Sequence, residues 1–238
     1  MKDQKETDLT CPECGKEHKV IRYERIVGNT QPELKSRLLK NELFRFKCEG
    51  CGLELPMIYP CLYQDVEKGY MVWFVPASDK EQLDKIAAFN AESLVDDNYK
   101  NLNKQYKLRI AVSVNGFIEK LLILDEDLDD RAVEVQKVML VSQLGQTGKY
   151  RNDKVRGVFF EMVRQDDYGY TVLFQEAGPV SFKLDMEQYY KISLRNRQLF
   201  DEHMPEGFCV IQEQWAIERF REIVKDSMSK KGKRRRKA

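Results

Sequence analysis

Cys11-Pro12-Glu13-Cys14-Gly15 and Cys48-Glu49-Gly50-Cys51-Gly52 decide how the first third of this chain folds. Each is a C-x-x-C turn closed by glycine, and 33 residues separate the two. A C-x-x-C turn lets two sulfurs converge on one ion while backbone amides hydrogen-bond to them. Glycine after the second cysteine tolerates the left-handed conformation that closes such a knuckle. Two knuckles complete a tetrahedral four-thiolate site, which holds zinc at about 2.3 Å per sulfur and leaves no open position for a substrate water. Cys11, Cys14, Cys48 and Cys51 are therefore read as ligands of one structural zinc ion. Binding worth about 10–16 kcal/mol far exceeds what a small β unit gains from its own core. The same four thiolates suit iron in a rubredoxin-like site. Unligated or redox-active cysteines are the plainer alternative, but two complementary pairs fit a shared ion better than a dithiol centre.

Working outward, residues 8–76 read as the zinc-bound β unit with an inserted helix. His18 to Ile26 is extended in character. Thr30-Gln31-Pro32-Glu33 gives a T-x-x-E helix start with proline in the first turn, and Leu34, Leu38, Leu39 and Leu43 follow on one face. Phe44 to Lys47 leads back as a strand into the second knuckle. Met57 to Gln64 and Tyr70 to Val75 flank Asp65-Val66-Glu67-Lys68-Gly69 as a β-hairpin.

Residues 77–145 read as mainly helical. Ser78 and Glu81 suggest a second capping box, ahead of Leu83, Ile86, Ala87 and Leu94. The polar run Asp96 to Gln105 suits a linker. Leu108 to Val114 is a β-branched strand, with Asn115 placed to cap a helix through Leu124. Asp127 to Asp130 precedes a helix carrying Val133, Val138, Val141 and Leu144, which Gly145 is expected to stop.

Residues 150–229 form a C-terminal α+β region. Val155 to Arg164 and Tyr170 to Gln175 make a second hairpin around Gln165-Asp166-Asp167-Tyr168-Gly169. Ser181 to Leu184 adds a strand, Asp185 opens a D-x-x-Q helix start, and a last helix from about Glu213 buries Trp215, Phe220, Ile223 and Val224. The predicted class is α+β: a four-cysteine zinc ribbon with inserted helix and hairpin, then helices, then an antiparallel β/helix region.

Residues 230–238 are expected to be a disordered basic tail. The net charge is +1, but Lys230, Lys231, Lys233, Arg234, Arg235, Arg236 and Lys237 supply seven positive charges, and removing them leaves −6. An acidic body is a poor surface for nonspecific phosphate binding, so the tail is the one strong electrostatic invitation to nucleic acid. No stretch approaches the roughly 20 apolar residues of a membrane span. The N-terminal residues lack a signal-peptide core, so the expected compartment is the cytoplasm, where paired cysteines favour metal over disulfide.

Other candidates carry less. His18, four residues after Cys14, could replace a thiolate, but suits the surface of the first strand. His203 lies in a polar segment with no nucleophile at motif distance. Cys61 and Cys209 read as small buried apolar residues. The acidic group Asp125, Glu126, Asp127, Asp129 and Asp130 lacks the glycine and terminal glutamate of a calcium loop, and capping explains it better. Phosphate-loop, nucleophile-elbow, dinucleotide and zinc-protease motifs are all missing, and two histidines leave few players for acid/base chemistry at neutral pH.

The knuckles, the Pro32-Glu33-Leu34 helix, Tyr59-Pro60, Met71-Val72-Trp73-Phe74-Val75-Pro76 and Leu128-Asp129-Asp130-Arg131 together resemble the CpXC domain family, over roughly residues 8–140. The family takes its name from the Cys-Pro-x-Cys knuckle. The second knuckle here lacks the proline, which is no ligand. The resemblance implies a zinc ribbon in a bacterial cytoplasm and brings no catalytic residues. The expected function is a noncatalytic zinc-binding module for interaction with another macromolecule or with its own copy. Nucleic-acid binding through the tail, and an enzyme with an unrecognised site between the ribbon and the C-terminal β region, are the alternatives; a pocket gathering Asp129, Asp130, Arg131 and His203 would favour the enzyme.

Overall fold

The computed structural model describes residues 3–93, 104–146, 148, 150–164 and 167–235. The chain is mixed α+β and divides into two compact units, Met1–Asp125 with Glu206–Cys209, and Glu126–Pro205 with Val210–Ala238. These units cut across the segments drawn from sequence, since residues 77–125 belong with the cysteine knuckles.

Two small hairpins open the first unit. Strands β1 (Gln4–Thr10) and β2 (Glu17–Tyr23) pair antiparallel, as do β4 (Arg45–Lys47) and β5 (Glu54–Pro56). Thr10 faces Glu17 and Lys47 faces Glu54, so each hairpin ends in a loop of the same length holding one C-x-x-C. β1 was not expected: its sequence is polar and its residues are exposed or half-buried.

The body of this unit is a four-stranded sheet in the order β3-β6-β7-β8. Strand β3 (Arg25–Val27) runs parallel to β6 (Cys61–Asp65), β6 antiparallel to β7 (Tyr70–Phe74), and β7 parallel to β8 (Lys107–Ala111). The expected hairpin forms as β6–β7, with Gly69 at φ 64° in its turn. Period-two alternation gives β7 two apolar faces. Tyr70, Val72 and Phe74 join Leu38 of α1 (Pro32–Leu39) and Phe117 and Leu121 of α3 (Val114–Asp125) in the main core. The Phe74 and Phe117 rings stack at 5.5 Å, and Phe44 meets Phe74 edge-on at 5.1 Å. Met71 and Val75 face the other way, onto Ile86 of α2 (Lys80–Ser93), Leu108, Ile110 and Phe208. Cys209 accepts from the Ile110 amide at 2.8 Å, which ties residues 206–209 to this sheet.

Helix starts differ from the sequence reading by one or two residues. Gln31, not Thr30, stands at the N-cap of α1, and its side chain accepts from the Val27 amide instead of capping the helix. Asp79 rather than Ser78 caps α2, accepting from the Gln82 amide at 3.0 Å. Ser113 rather than Asn115 caps α3, accepting from Gly116 at 3.1 Å. Leu94 and residues 96–103 of the expected linker lie outside the described residues.

The second unit carries α4 (Asp130–Gln146), an antiparallel sheet in the order β11-β10-β9, α5 (Met186–Arg195), α6 (Arg197–Glu202) and α7 (Glu213–Arg235). Strand β9 is Val155–Arg164, β10 is Asp167–Phe174 and β11 is Pro179–Lys183. Asp185 caps α5 as expected, accepting from the Gln188 amide at 2.9 Å. Gly145 does not stop α4, which continues to Gln146. The short α6 has no counterpart in the sequence reading. On α7, Ala216 is buried, whereas Trp215, Phe220, Ile223 and Val224 are only half-buried. α7 itself runs to Arg235, through positions where an unstructured tail was expected.

A candidate metal centre

The two hairpin tips are built alike, hydrogen bond for hydrogen bond. Gly15 donates to the Cys11 carbonyl and Gly52 to the Cys48 carbonyl, both at 2.9 Å. Each loop is then closed by the amide of its first cysteine: Cys11 onto Lys16 at 2.9 Å, and Cys48 onto Leu53 at 2.8 Å. Gly15 and Gly52 sit at φ 71° and 77°, the left-handed region where a Cβ is strained. The first cysteine of each pair is buried and the second exposed.

This duplication brings Cys11, Cys14, Cys48 and Cys51 together, with all four sulfurs within 4.8 Å of one another. Across the tips, Cys11 lies 3.6 Å from Cys51 and Cys14 lies 3.6 Å from Cys48. A tetrahedral ion with bonds of about 2.3 Å sets its sulfurs about 3.8 Å apart, so the spacing fits one metal ion. It is far from the ~2.05 Å of a disulfide. The donor set is four soft sulfurs, suited to zinc or iron and to few other ions.

Three of the thiols are shifted, and in opposite senses. The amides of Cys51 and Gly50 and the ring of His18 lower the Cys48 thiol to about 5, against the opposing effect of burial. The Leu53 amide pulls Cys51 down, but burial and the three neighbouring sulfurs outweigh it and push that thiol up to about 12. Likewise the Lys16 amide lowers Cys14, and Cys48, burial and Cys11 turn the net shift upward. One thiolate thus opposes the next, as like charges in one site must. A dication, if bound by these sulfurs, would remove that opposition.

Sequence reasoning weighed His18 as a fourth-ligand substitute; the structure gives it another place. Its ring packs edge-on against Phe46 at 5.0 Å, with Nε2 3.3 Å from the Cys48 sulfur, beside the Gly50 amide at the same distance. Gly50 was missed. A Cβ there would lie 3.3 Å from the Cys14 sulfur and 3.1 Å from the Lys16 side chain, tight contacts that a larger residue would press upon. The signal was the G preceding the second cysteine, which resembles an ordinary turn residue.

Asp125, Asp129, Arg131 and His203 lie in hydrogen-bond and ion-pair networks away from the cysteine cluster. Asp125 accepts from Lys35 and from the Tyr70 hydroxyl, both at 2.7 Å. Asp129 caps α4 through the Arg131 amide at 3.0 Å and takes the Arg131 guanidinium in two further bonds of 2.9 Å. Arg131 also reaches Asp201 at 2.7 Å. His203 is not in a free loop: it sits at the C-cap of α6, its Nδ1 2.9 Å from the Leu199 carbonyl and its Nε2 3.8 Å from Glu222. Asp129 and Arg131 are thus engaged with each other, and His203 with other groups. Cys61 is buried, and burial pushes its thiol up to about 12; Cys209 is buried with its sulfur directed at the Leu108 carbonyl at 3.5 Å. No helix among the described residues is long and apolar enough to cross a membrane.

The family model described as CpXC protein matches residues 9–137, just over half of the chain. The chain belongs to the CpXC family. Its CpXC region takes in both cysteine tips, the mixed sheet and α3, and ends within α4. No curated protein and no solved structure matches the chain.

Proposed function

We propose that this CpXC protein holds one structural zinc ion between Cys11, Cys14, Cys48 and Cys51, and that its zinc-ribbon-like lobe serves interaction with another macromolecule rather than catalysis. The observation carrying this reading is the closed set of four sulfurs within 4.8 Å, presented by two equivalent loops. Four thiolates fill a tetrahedral shell, so the ion has no position left to activate water or polarise a substrate. Its chemistry is then structural: it joins hairpin to hairpin. Elemental analysis with an absorption spectrum of the purified full chain tests the metal. A colourless protein with one zinc per chain is expected; stoichiometric iron with a coloured spectrum contradicts it. Turnover of a metabolite by the zinc-loaded protein contradicts the noncatalytic part.

A second reading rests on charge. Lys230, Lys231, Lys233, Arg234, Arg235, Arg236 and Lys237 concentrate seven positive charges at the end of a chain otherwise carrying −6. Nucleic-acid binding through that segment is steeply salt-dependent. Gel mobility of labelled DNA and RNA, with and without residues 230–238, decides it: a shift lost on truncation supports the reading, and no shift at low salt ends it.

A further inference from the structure

We infer that Cys14 and Cys51 are the oxidation site of the cysteine cluster: a small peroxide attacks either exposed sulfur, which then closes a disulfide with the buried sulfur of the other loop. The inference rests on the metal reading above for what oxidation does, the loss of the zinc ion, and on the geometry for where it occurs.

The two tips match in their hydrogen bonds, but their four sulfurs are not equivalent. Cys11 and Cys48 are each 1% exposed and belong with Phe46 to the small core of the lobe. Cys14 and Cys51 are exposed. A reagent arriving from water therefore meets the second cysteine of each pair. Cys48 is further enclosed, with the Gly50 amide and His18 Nε2 each 3.3 Å from its sulfur.

Thiolates that oxidise are accessible and lie near positive charge. Lys16 supplies that charge at the exposed side. Its stem and the Cys14 sulfur both lie over Gly50, 3.1 and 3.3 Å from where a Cβ would stand. Its half-exposed side chain ends 3.7 Å from the carboxylate of Glu49.

The same asymmetry names the resolving sulfurs. Cys14 has buried Cys48 at 3.6 Å, and Cys51 has buried Cys11 at 3.6 Å. Each exposed sulfur thus faces, across the tips, a thiolate that is shielded from the reagent. In the first step the exposed thiolate attacks a peroxide oxygen, the O–O bond breaks, hydroxide leaves and a sulfenic acid forms. The buried thiolate then attacks that sulfur, the S–O bond breaks and a second hydroxide leaves. Two electrons have passed from two thiolates to one peroxide. A disulfide is no thiolate ligand, so half of the tetrahedral shell is gone.

The test begins with substoichiometric iodoacetamide added to the full chain as purified, with zinc measured on the same sample. Peptide mapping of singly labelled chains is expected to find the label on Cys14 or Cys51. Cys61 and Cys209, both buried, should stay unlabelled, which checks that the fold is intact. Hydrogen peroxide at one equivalent is then expected to give Cys14–Cys48 or Cys11–Cys51, with one zinc ion released to a metallochromic dye per disulfide formed. First labelling at Cys11 or Cys48, or equal labelling at all four, overturns the inference. So does a disulfide within one loop, Cys11–Cys14 or Cys48–Cys51, a disulfide that leaves zinc bound, or indifference to excess peroxide. A chain that labels and cross-links as stated, yet is purified without zinc, overturns the metal reading and leaves the oxidation site standing.

Discussion

The cysteine lobe and the mixed sheet lie in the same compact unit, yet they are held together by different physics. The sheet has an ordinary core: Phe44, Tyr63, Val72, Phe74, Phe117 and Leu121 are all buried and interlock from three elements and the loops between them. Each such side chain contributes about 1.5–3 kcal/mol by leaving water. The lobe's own core holds three buried residues, Cys11, Phe46 and Cys48, and two of those are the proposed ligands. Leu9, Val20, Leu53, Leu55 and Met57 pack around them only partly buried. Hydrophobic burial of that size does not repay the ordering of four short strands. The proposed zinc, at about 10–16 kcal/mol, would. On the proposed reading, a patch of sequence too polar to be ordered by oil is ordered by coordination instead.

That contrast can be broken at four places, taken from the largest effect down. Cys48→Ser removes the proposed ligand whose thiolate the Cys51 and Gly50 amides and the His18 ring favour. Amide exchange in β1, β2, β4 and β5 is expected to become fast while β6, β7 and β8 stay protected; equal loss everywhere would erase the distinction between the regions. Phe44→Ala should act in the opposite sense, costing about 3–5 kcal/mol in denaturant titrations and leaving one metal ion per chain. His18→Phe keeps the packing on Phe46 and deletes the Nε2 contact to Cys48. Loss of a partner outside the ligand shell typically costs 10–100-fold in metal affinity, measurable by chelator competition, with no change in the melting of the sheet. Asp185→Ala, in the second unit, should cost about 1 kcal/mol of stability through its lost helix cap. It should leave metal affinity untouched.

The same contrast explains what could be read from the sequence. The clustering of the four cysteines was legible because its pattern is local: C-x-x-C and the following glycine are complete within five residues. The β6–β7 hairpin was legible because Tyr70 to Phe74 is apolar on both faces and bounded by a turn. β1 was not, since Gln-Lys-Glu-Thr-Asp-Leu-Thr carries no strand periodicity and is ordered by pairing with β2 and by the knuckle at its end. Gly50 could not be found either, because its role depends on Cys14, 36 positions away in the chain and adjacent in space. The helix starts went astray through near-equivalent polar residues. Thr30 and Gln31 both have side chains able to cap, and the fold uses Gln31 to hold the Val27 amide instead. Trp215 and Phe220 were read as buried on composition, which says nothing of how deep a helix sits.

The most direct test of the account is a zinc titration of the reduced, chelator-stripped full chain, followed by amide exchange. The account predicts that stripping loosens residues 4–23 and 45–56 selectively, and that protection returns in proportion to added zinc and saturates at one ion per chain. Protection in those hairpins that is indifferent to zinc, or that returns only when the four sulfurs are oxidised to disulfides, would contradict it.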